Sequence, residues 1–150
     1  MTSISVTRLR VRAWPYMPTF VCLTMMSARQ ARRSAGFLGG YLGSSDARTY
    51  WTVTSWADVS AMRKFRDTSW HRRAMPKLLR WCDEAAIAHR EQPTDALPDG
   101  LEALRRLTAE GRISKVAHPS ADHSSGKLAA DGRPPRPGLR LPRRSFQHQP

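Results

Sequence analysis

Residues 49–56, TYWTVTSW, constrain the fold of this 150-residue chain more than any other segment. The segment is rich in β-branched and aromatic residues and contains neither Gly nor Pro, so it predicts a strand over Thr49–Trp56. Side chains alternate between the faces of a strand, which places Trp51 and Val53 on one face. Tyr50 and Trp56 then lie on the other. Both faces of the surrounding sheet therefore need a cover.

The patterns on either side of this segment predict an α+β chain. Asp58 and Asp99 are candidate helix N-caps. The predicted elements are strands over Ile4–Val11, Phe37–Gly43, Thr49–Trp56 and Ala85–His89, helices over Thr19–Arg33 and after Asp58, a helical stretch with Pro76 in its first turn, and a helix between Asp99 and Gly111. This order is the ferredoxin-like βαββαβ pattern with an added C-terminal helix. It predicts an antiparallel sheet with helices on one face.

The sheet face away from those helices carries a tryptophan, and a large aromatic side chain facing water is unfavourable. Two such sheets packed face to face would bury both of these faces. An isologous pairing of this kind makes a dimeric α+β barrel. We therefore predict a homodimer.

The C-terminal part of the chain differs in composition from the rest. No tryptophan follows Trp81, and the apolar periodicity fades from His118 onward. Residues 133–150 contain five prolines among arginines, a composition that buries too little apolar surface to fold alone. We predict one folded domain over 1–117, including the added helix over about 99–110, and a disordered basic tail over 118–150.

The chain is strongly basic, with a formal net charge of +13. Between Arg112 and Pro150, eight Lys or Arg face two Asp or Glu. Such a field attracts nucleic acid and acidic partners. No nucleic-acid-binding motif accompanies the charge, which favours a solvated, Arg-rich surface. Nucleic-acid binding through the tail stays an alternative.

Neither the cysteines nor the apolar segments indicate export. Cys22 and Cys82 lack CxxC spacing, which favours two buried free thiols; a disulfide is the alternative if the chain is exported. The apolar stretch 20–26 follows several arginines, but it is short and no A-x-A cleavage site follows. No stretch approaches the roughly 18 apolar residues that span a bilayer. We predict a cytoplasmic protein with no membrane partner.

Several short motifs over about residues 3–120 occur in an order typical of one protein family. They are Phe37 with Gly39, YWTVTSW over 50–56, AMRKF over 61–65, HRRAMP over 71–76, WCDEA over 81–85, Leu97-Pro98, GRISKV over 111–116 and HPS over 118–120. In these motifs the chain resembles a bacterial family related to the antibiotic-biosynthesis-monooxygenase superfamily of dimeric α+β barrels. The resemblance implies the same fold and a homodimer.

The resemblance also implies a range of activities. Its superfamily includes cofactor-free monooxygenases, haem-handling enzymes, isomerases and proteins without an assigned activity. We expect a cofactor-free monooxygenase that acts on a small aromatic or polyketide-like molecule. A non-catalytic protein that binds a small ligand or haem is one alternative, and a basic nucleic-acid-associated protein is the other.

His71 and Tyr50 are the candidate catalytic residues. In cofactor-free oxygenation the deprotonated substrate reduces O₂, so the protein needs a base and a dry cavity. His71, next to arginines that lower its pKa, could be that base, and Tyr50 is the alternative. His71 could instead ligate haem or bond a backbone group. The candidate substrate contacts are Trp51, Trp56, Trp70 and Arg72.

The aromatic candidates also have a purely structural interpretation, as core or dimer-interface residues. His118, Asp122 and His123 are close enough in sequence to form a metal site, but they lie where the folding pattern fades. We therefore expect no metal and no tightly bound cofactor, with haem as the alternative.

Overall fold

The computed structural model describes residues 1–143, apart from the side chains of Ser69 and Trp70. Six strands and five helices lie in this part of the chain. They are β1 Thr2–Val11, α1 Met17–Arg33, β2 Phe37–Ser44, β3 Thr49–Trp56, α2 Val59–Arg66, α3 Ser69–Trp81, β4 Cys82–Gln92, α4 Gly100–Glu110, β5 Arg112–Ile113, α5 Ala121–Ser124 and β6 Arg136–Pro142, with a 3₁₀ turn over Trp14–Tyr16 before α1. The order confirms the predicted α+β, ferredoxin-like pattern.

The six strands form one antiparallel sheet in the order β5-β4-β1-β3-β2-β6. The long central strand β1 pairs with β3 on one side and with β4 on the other. Val6 lies opposite Val53 of β3 and opposite Ala88 of β4. These register partners share one face of the sheet, which fixes which side chains lie together.

Helices α2 and α4 begin at the predicted caps. The Asp58 side chain accepts a hydrogen bond from the Ala61 N–H at 2.7 Å, and Asp99 does the same for Glu102 at 2.8 Å. Each cap satisfies an N–H group that the first helical turn leaves without a partner. Gly36, after α1, has φ +83°, and a Cβ there would lie 2.6 Å from the Ala61 Cβ. Glycine at this position therefore lets α2 approach the end of α1.

Helices α1, α2 and α3 cover the sheet face that carries Tyr50 and Trp56. Under α1 and α2, Trp56 is buried with Phe37, Met62 and other apolar residues. Under α1 and α3, a second cluster contains Val11, Phe20, Ala74, Leu78 and Cys82. This face matches the prediction that the ferredoxin-like helices lie together.

The added helix α4 packs on the opposite face, where Trp51 lies. Trp51 and Leu107 are both 0% exposed and belong to one cluster with Val6 and Val53. Leu128, from the segment after α5, packs against this cluster. The chain therefore covers this tryptophan itself, and the burial of Trp51 does not require a second copy. The homodimer stays a prediction.

The predicted disordered tail is wrong for the elements α5 and β6. Strand β6 extends the sheet at β2, with Leu139 opposite Leu42 and Leu141 opposite Gly40. The prediction considered only apolar content, whereas an open sheet edge offers a row of backbone hydrogen bonds. Gly43 allows the approach, since a Cβ there would lie 2.6 Å from the Arg136 carbonyl oxygen.

Residues 144–150 lie outside the described part of the chain. The domain boundary at residue 117 and nucleic-acid binding through the tail stay predictions.

A buried ion pair joins this C-terminal segment to the sheet. Arg8 contacts Glu84 at 2.7 Å, and these side chains are 2% and 5% exposed. Asp131 lies 3.5 Å from the same guanidinium, and the Ser120 hydroxyl donates to Glu84 at 3.0 Å. Buried charges need such partners, because an unpaired charge in the interior is strongly unfavourable.

Two further predictions need correction. Helix α3 begins at Ser69, so Pro76 lies inside the helix rather than in its first turn. Proline costs one backbone hydrogen bond there, and the packing of α3 offsets that loss. Both cysteines are free, but only Cys82 is buried; Cys22 is exposed on α1.

In the described residues no helix combines the length and apolarity that a membrane crossing needs.

Candidate functional site

An apolar cavity of about 170 Å³ lies between α1 and the sheet. Helix α1 forms one wall, β2 and β3 form the floor, and β6 forms the other wall. Its lining residues are Phe20, Val21, Thr24, Met25, Leu42, Gly43, Ser44, Tyr50, Trp51, Thr52, Gly138 and Leu139. The segment predicted to be disordered therefore contributes Gly138 and Leu139 to the lining.

Tyr50 is a predicted site residue that lines this cavity. Its ring lies 5.2 Å from the Phe20 ring, and its hydroxyl donates to the Ala47 carbonyl at 3.4 Å. Burial raises the pKa of Tyr50, and the Asp46 carboxylate raises it further. The hydroxyl therefore keeps its proton at neutral pH. In this cavity Tyr50 is suited to donate a hydrogen bond rather than to act as a base.

The predicted tryptophan contacts are divided between the two faces of the sheet. Trp51 contributes to the cavity floor, but its indole belongs to the cluster under α4, and its Nε1–H donates to Ser45 at 3.1 Å. Trp56 is 1% exposed, and its Nε1–H donates to Thr54 at 3.0 Å. Trp56 lines neither of the cavities described here. The Trp70 side chain lies outside the described residues.

His71 lies near the start of α3, away from the apolar cavity. Its ring is 4.8 Å from the Phe65 ring, and its Nδ1 is 3.2 Å from the Arg66 carbonyl oxygen. The Gln30 side chain accepts the His71 backbone N–H at 3.2 Å. Burial lowers the pKa of His71, so the imidazole is neutral at pH 7. This environment fits the alternative in which the histidine bonds a backbone group.

The structure does not bring His71 and Tyr50 together. His71 contacts Gln30 near the end of α1, whereas Tyr50 packs on Phe20 near its start. Ten residues of helix separate those contacts, a distance of about 15 Å along the axis. Arg72, next to His71, is exposed on α3. The roles of these residues in catalysis, and of His71 in haem ligation, stay predictions.

A second cavity, of about 210 Å³, lies between α2 and the strands β1, β4 and β5. We call it the arginine cleft; its lining residues are Ser3, Val59, Met62, Arg63, Arg66, His89, Arg90, Glu91 and Arg112. Burial lowers the pKa of His89, and Arg112, Arg66 and Arg63 lower it further. A neutral imidazole therefore lies among guanidinium groups.

The sequence predictions did not include the arginine cleft. Its residues come from four separate elements, so no local spacing marks it. The available signal was His89, a histidine at the end of a predicted strand that is otherwise rich in alanine. In the part of the chain that the structure describes, no three His, Cys, Asp or Glu side chains converge as metal ligands.

Comparison with solved structures identifies the architecture. A variant of SnoaB, a cofactor-independent oxygenase from Streptomyces nogalater, is 17% identical with a TM-score of 0.52, and the match covers 62% of this chain and 94% of that chain. A putative antibiotic biosynthesis monooxygenase from Nitrosomonas europaea is 13% identical, with a TM-score of 0.56 and coverage of 61% and 90%. This chain has the antibiotic-biosynthesis-monooxygenase fold.

A third structure supports the same assignment. Rv0793 from Mycobacterium tuberculosis is 12% identical, with a TM-score of 0.58 and coverage of 64% of this chain and 99% of that chain. No protein-family model matches the sequence, and no curated protein matches it. The resemblance seen in the sequence motifs is therefore confirmed for the fold. More than a third of this chain lies outside each structural match.

Proposed function

We propose that this chain binds a small, electron-rich aromatic molecule in the apolar cavity under α1 and oxidises it with O₂ without a resident cofactor. The observation that carries the proposal is the cavity itself, about 170 Å³ in volume and lined mainly by apolar and aromatic side chains, with four hydroxyl-bearing residues among them. A dry apolar cavity of about 150 Å³ accepts a benzene ring. One aromatic ring therefore fits, and the rest of a larger substrate would extend toward solvent.

The fold supports the proposal in a weaker way. SnoaB, which shares the fold, is a cofactor-independent oxygenase. One fold hosts many activities, so the argument rests chiefly on the cavity. Closing an apolar site excludes water and lets a few polar groups orient the ligand. Here those polar groups are the hydroxyls of Thr24, Ser44, Tyr50 and Thr52.

The chemistry follows from what the cavity holds. An ionised phenol or activated CH₂ group transfers electrons to O₂; one oxygen atom enters the substrate, the other leaves as water, and the substrate loses two hydrogens. The protonated Tyr50 hydroxyl would exchange its long bond to the Ala47 carbonyl for one donated to the substrate oxygen on which negative charge develops. Tyr50 is the one titratable side chain among the described lining residues. Substrates must therefore ionise without help from a base in the cavity.

The test is O₂ uptake with 1-naphthol, in the presence of a chelator, at several pH values. Oxidation to 1,4-naphthoquinone consumes one O₂ and releases one water. We expect a rate above buffer that rises as the naphthol ionises. Tyr50→Phe keeps the ring and removes the donor, so it should keep binding and lower the rate about a hundredfold. Uptake equal to buffer, or unchanged in Tyr50→Phe, would contradict the mechanism.

His71→Ala separates this proposal from the earlier prediction that His71 is the base. Because His71 does not line the cavity and contacts Gln30, past the last lining residue of α1, Met25, we expect normal turnover in the folded variant. If turnover is lost while binding and folding are kept, His71 acts in the reaction and the cavity assignment is wrong.

The same cavity supports one other function, that of a small-ligand binding protein without turnover. Saturable binding of 1-naphthol without O₂ uptake would favour it. Leu139→Asp introduces a charge into the wall formed by β6, so it should weaken binding under either function. A matched control is Leu101→Asp, which places the same charge at an exposed position on α4.

A further inference from the structure

We propose that the arginine cleft binds the phosphate group of a small molecule. The cleft is open to solvent between α2 and the edge of the sheet formed by β4 and β5, and its volume of about 210 Å³ accommodates a phosphate with part of an attached group. Three guanidinium groups from two elements, Arg63, Arg66 and Arg112, line it. Arginine is suited to this task because its planar donors match phosphate oxygens in pairs.

The cleft is distinct from the apolar cavity. Its floor includes Ser3, which lies opposite Trp56 in the sheet, whereas Tyr50 of the apolar cavity lies opposite Leu9. Six residues of strand separate Ser3 from Leu9, which is about 20 Å at 3.3 Å per residue. The proposal is therefore independent of the function assigned to the apolar cavity.

The arrangement of charges points to an anion. Arg63 and Arg66 lie one turn apart on the same side of α2. The C-terminal end of a helix favours cations, and this would explain Arg63 and Arg66 of α2 without a ligand. Arg112 has no such explanation, because it lies on β5. Within the described residues, neither Arg63 nor Arg112 has a carboxylate within 4.0 Å, and Arg66 pairs with the exposed Asp67.

Two polar groups in the cleft lack strong partners. His89 is half-buried, and within the described part of the chain no hydrogen bond contributes to the shift of its pKa. Ser3 is buried, and its hydroxyl donates to the Met62 sulfur at 3.7 Å, a weak acceptor. A phosphate oxygen would give both groups a better partner. Neutral His89 can donate to that oxygen without adding another positive charge to the cleft.

The two remaining charged residues of the cleft do not neutralise it. The Arg90 side chain is held on the opposite face by Glu110 and Glu102, so it adds little charge to the cleft. Glu91 in the cleft and Asp67 beside Arg66 are two carboxylates against three guanidinium groups, so the cleft stays positive. The several donors of these guanidinium groups suit the three free oxygens of a phosphate ester better than the two oxygens of a carboxylate.

The test is a titration of the full chain with inorganic phosphate at constant ionic strength, followed by backbone amide chemical shifts. We expect saturable shifts at Ser3, His89 and Arg112. Arg63→Ala and Arg112→Ala should each weaken binding about tenfold, the loss of one charged hydrogen bond. Arg105→Ala is the matched control, because Arg105 is exposed on α4 and carries the same charge. Equal weakening in all three variants, or shifts that do not saturate, would overturn the proposal.

A second arm uses phenyl phosphate and acetate. Tighter binding of phenyl phosphate than of inorganic phosphate would assign a phosphate monoester as the ligand, and equal binding would assign phosphate itself. Acetate binding as tight as that of phosphate would overturn the preference for a dianion.

A third arm tests His89 with sulfate, which stays a dianion across the pH range. His89 faces Arg63 and Arg66 from α2 and Arg112 from β5, with Glu91 and Arg90 beside it on β4. A bound dianion offsets those cations and favours the protonated imidazole, so sulfate affinity should rise as the solution becomes more acidic. The rise should vanish in His89→Gln. The same rise in His89→Gln would remove His89 from the site.

Discussion

The two faces of the sheet are covered by different parts of the chain, and they differ in what they leave open. Helices α1–α3 cover one face and leave two cavities at opposite ends of it. Helix α4 and the segment after it cover the other face, and Trp51 there is completely buried. The same aromatic strand therefore borders the proposed ligand cavity on one face and a completely covered core on the other.

The sealed face also contains the buried ion pair of Arg8 and Glu84. Two outer contacts of this pair, Asp131 to Arg8 and Ser120 to Glu84, come from the C-terminal segment, and Arg10 of β1 also contacts Glu84. This segment therefore supplies polar partners as well as apolar cover. Variants on the sealed face should affect folding, and variants on the open face should affect binding.

Removal of the Glu84 carboxylate should have the largest effect on folding. In Glu84→Ala the buried Arg8 guanidinium loses its 2.7 Å partner, so the free energy of unfolding should fall by about 3–5 kcal/mol. The matched control is Asp122→Ala, which breaks the exposed pair with Lys127 and should cost under about 1 kcal/mol. Urea unfolding measures both. Equal effects would mean that the Arg8 pair is open to water.

Truncation of a buried side chain of α4 should have the next largest effect on the free energy of unfolding. Leu107 is 0% exposed, so Leu107→Ala should cost about 2–5 kcal/mol through lost burial and a cavity. Leu101, on the same helix, is 50% exposed, and Leu101→Ala should change stability by less than about 0.5 kcal/mol. If thermal or urea unfolding gives similar values for the two, α4 does not seal this face.

A single hydrogen bond of Tyr41 tests how closely the loop before α4 packs on this face. Its hydroxyl donates to the Pro98 carbonyl at 2.7 Å, and burial raises the pKa of Tyr41 to about 12. Tyr41→Phe keeps the ring and removes this bond, so the free energy of unfolding should fall by about 1 kcal/mol. Tyr16→Phe, which removes a more exposed hydroxyl bonded to Arg12, is the control and should cost less. If Tyr41→Phe leaves the free energy of unfolding unchanged, the loop at residues 97–98 does not pack on the sheet through this bond.

The open face should make the protein mildly sensitive to acid. Burial lowers the folded-state pKa values of His71 and His89 below 6.5, so the unfolded chain binds more protons in this range. Stability is therefore fully present above about pH 6.5 and falls as pH drops toward the folded pKa values. Unfolding at pH 7 and pH 5 measures the loss. It should shrink in the double variant His71→Gln, His89→Gln; an unchanged loss would assign the sensitivity to other groups.

Local patterns predicted most of the fold. Alternation fixed β3 at Thr49–Trp56 to the residue, and the caps Asp58 and Asp99 located α2 and α4. Strand β6 was beyond such reasoning, because it depends on pairing with the edge of β2 rather than on its own apolar content. The start of α3 was misplaced because Pro76 is more often found in a first turn.

The candidate sites were less predictable than the fold. Tyr50 was found because it lies on a well-marked strand, but the cavity around it needs Leu139 from the segment predicted to be disordered. The arginine cleft joins Arg63, His89 and Arg112, which are far apart in sequence. Only the tertiary packing brings such groups together.

The most direct test of the difference between the two faces is a map of amide chemical shifts in the full chain during titration with 1-naphthol. We expect the shifts to concentrate at Phe20, Met25 and Leu139, which line the apolar cavity, while Ala103 and Leu107, the buried residues of α4, stay unchanged. Shifts concentrated at Ala103 and Leu107 would contradict the division, because the sealed face would then be the one that admits the ligand.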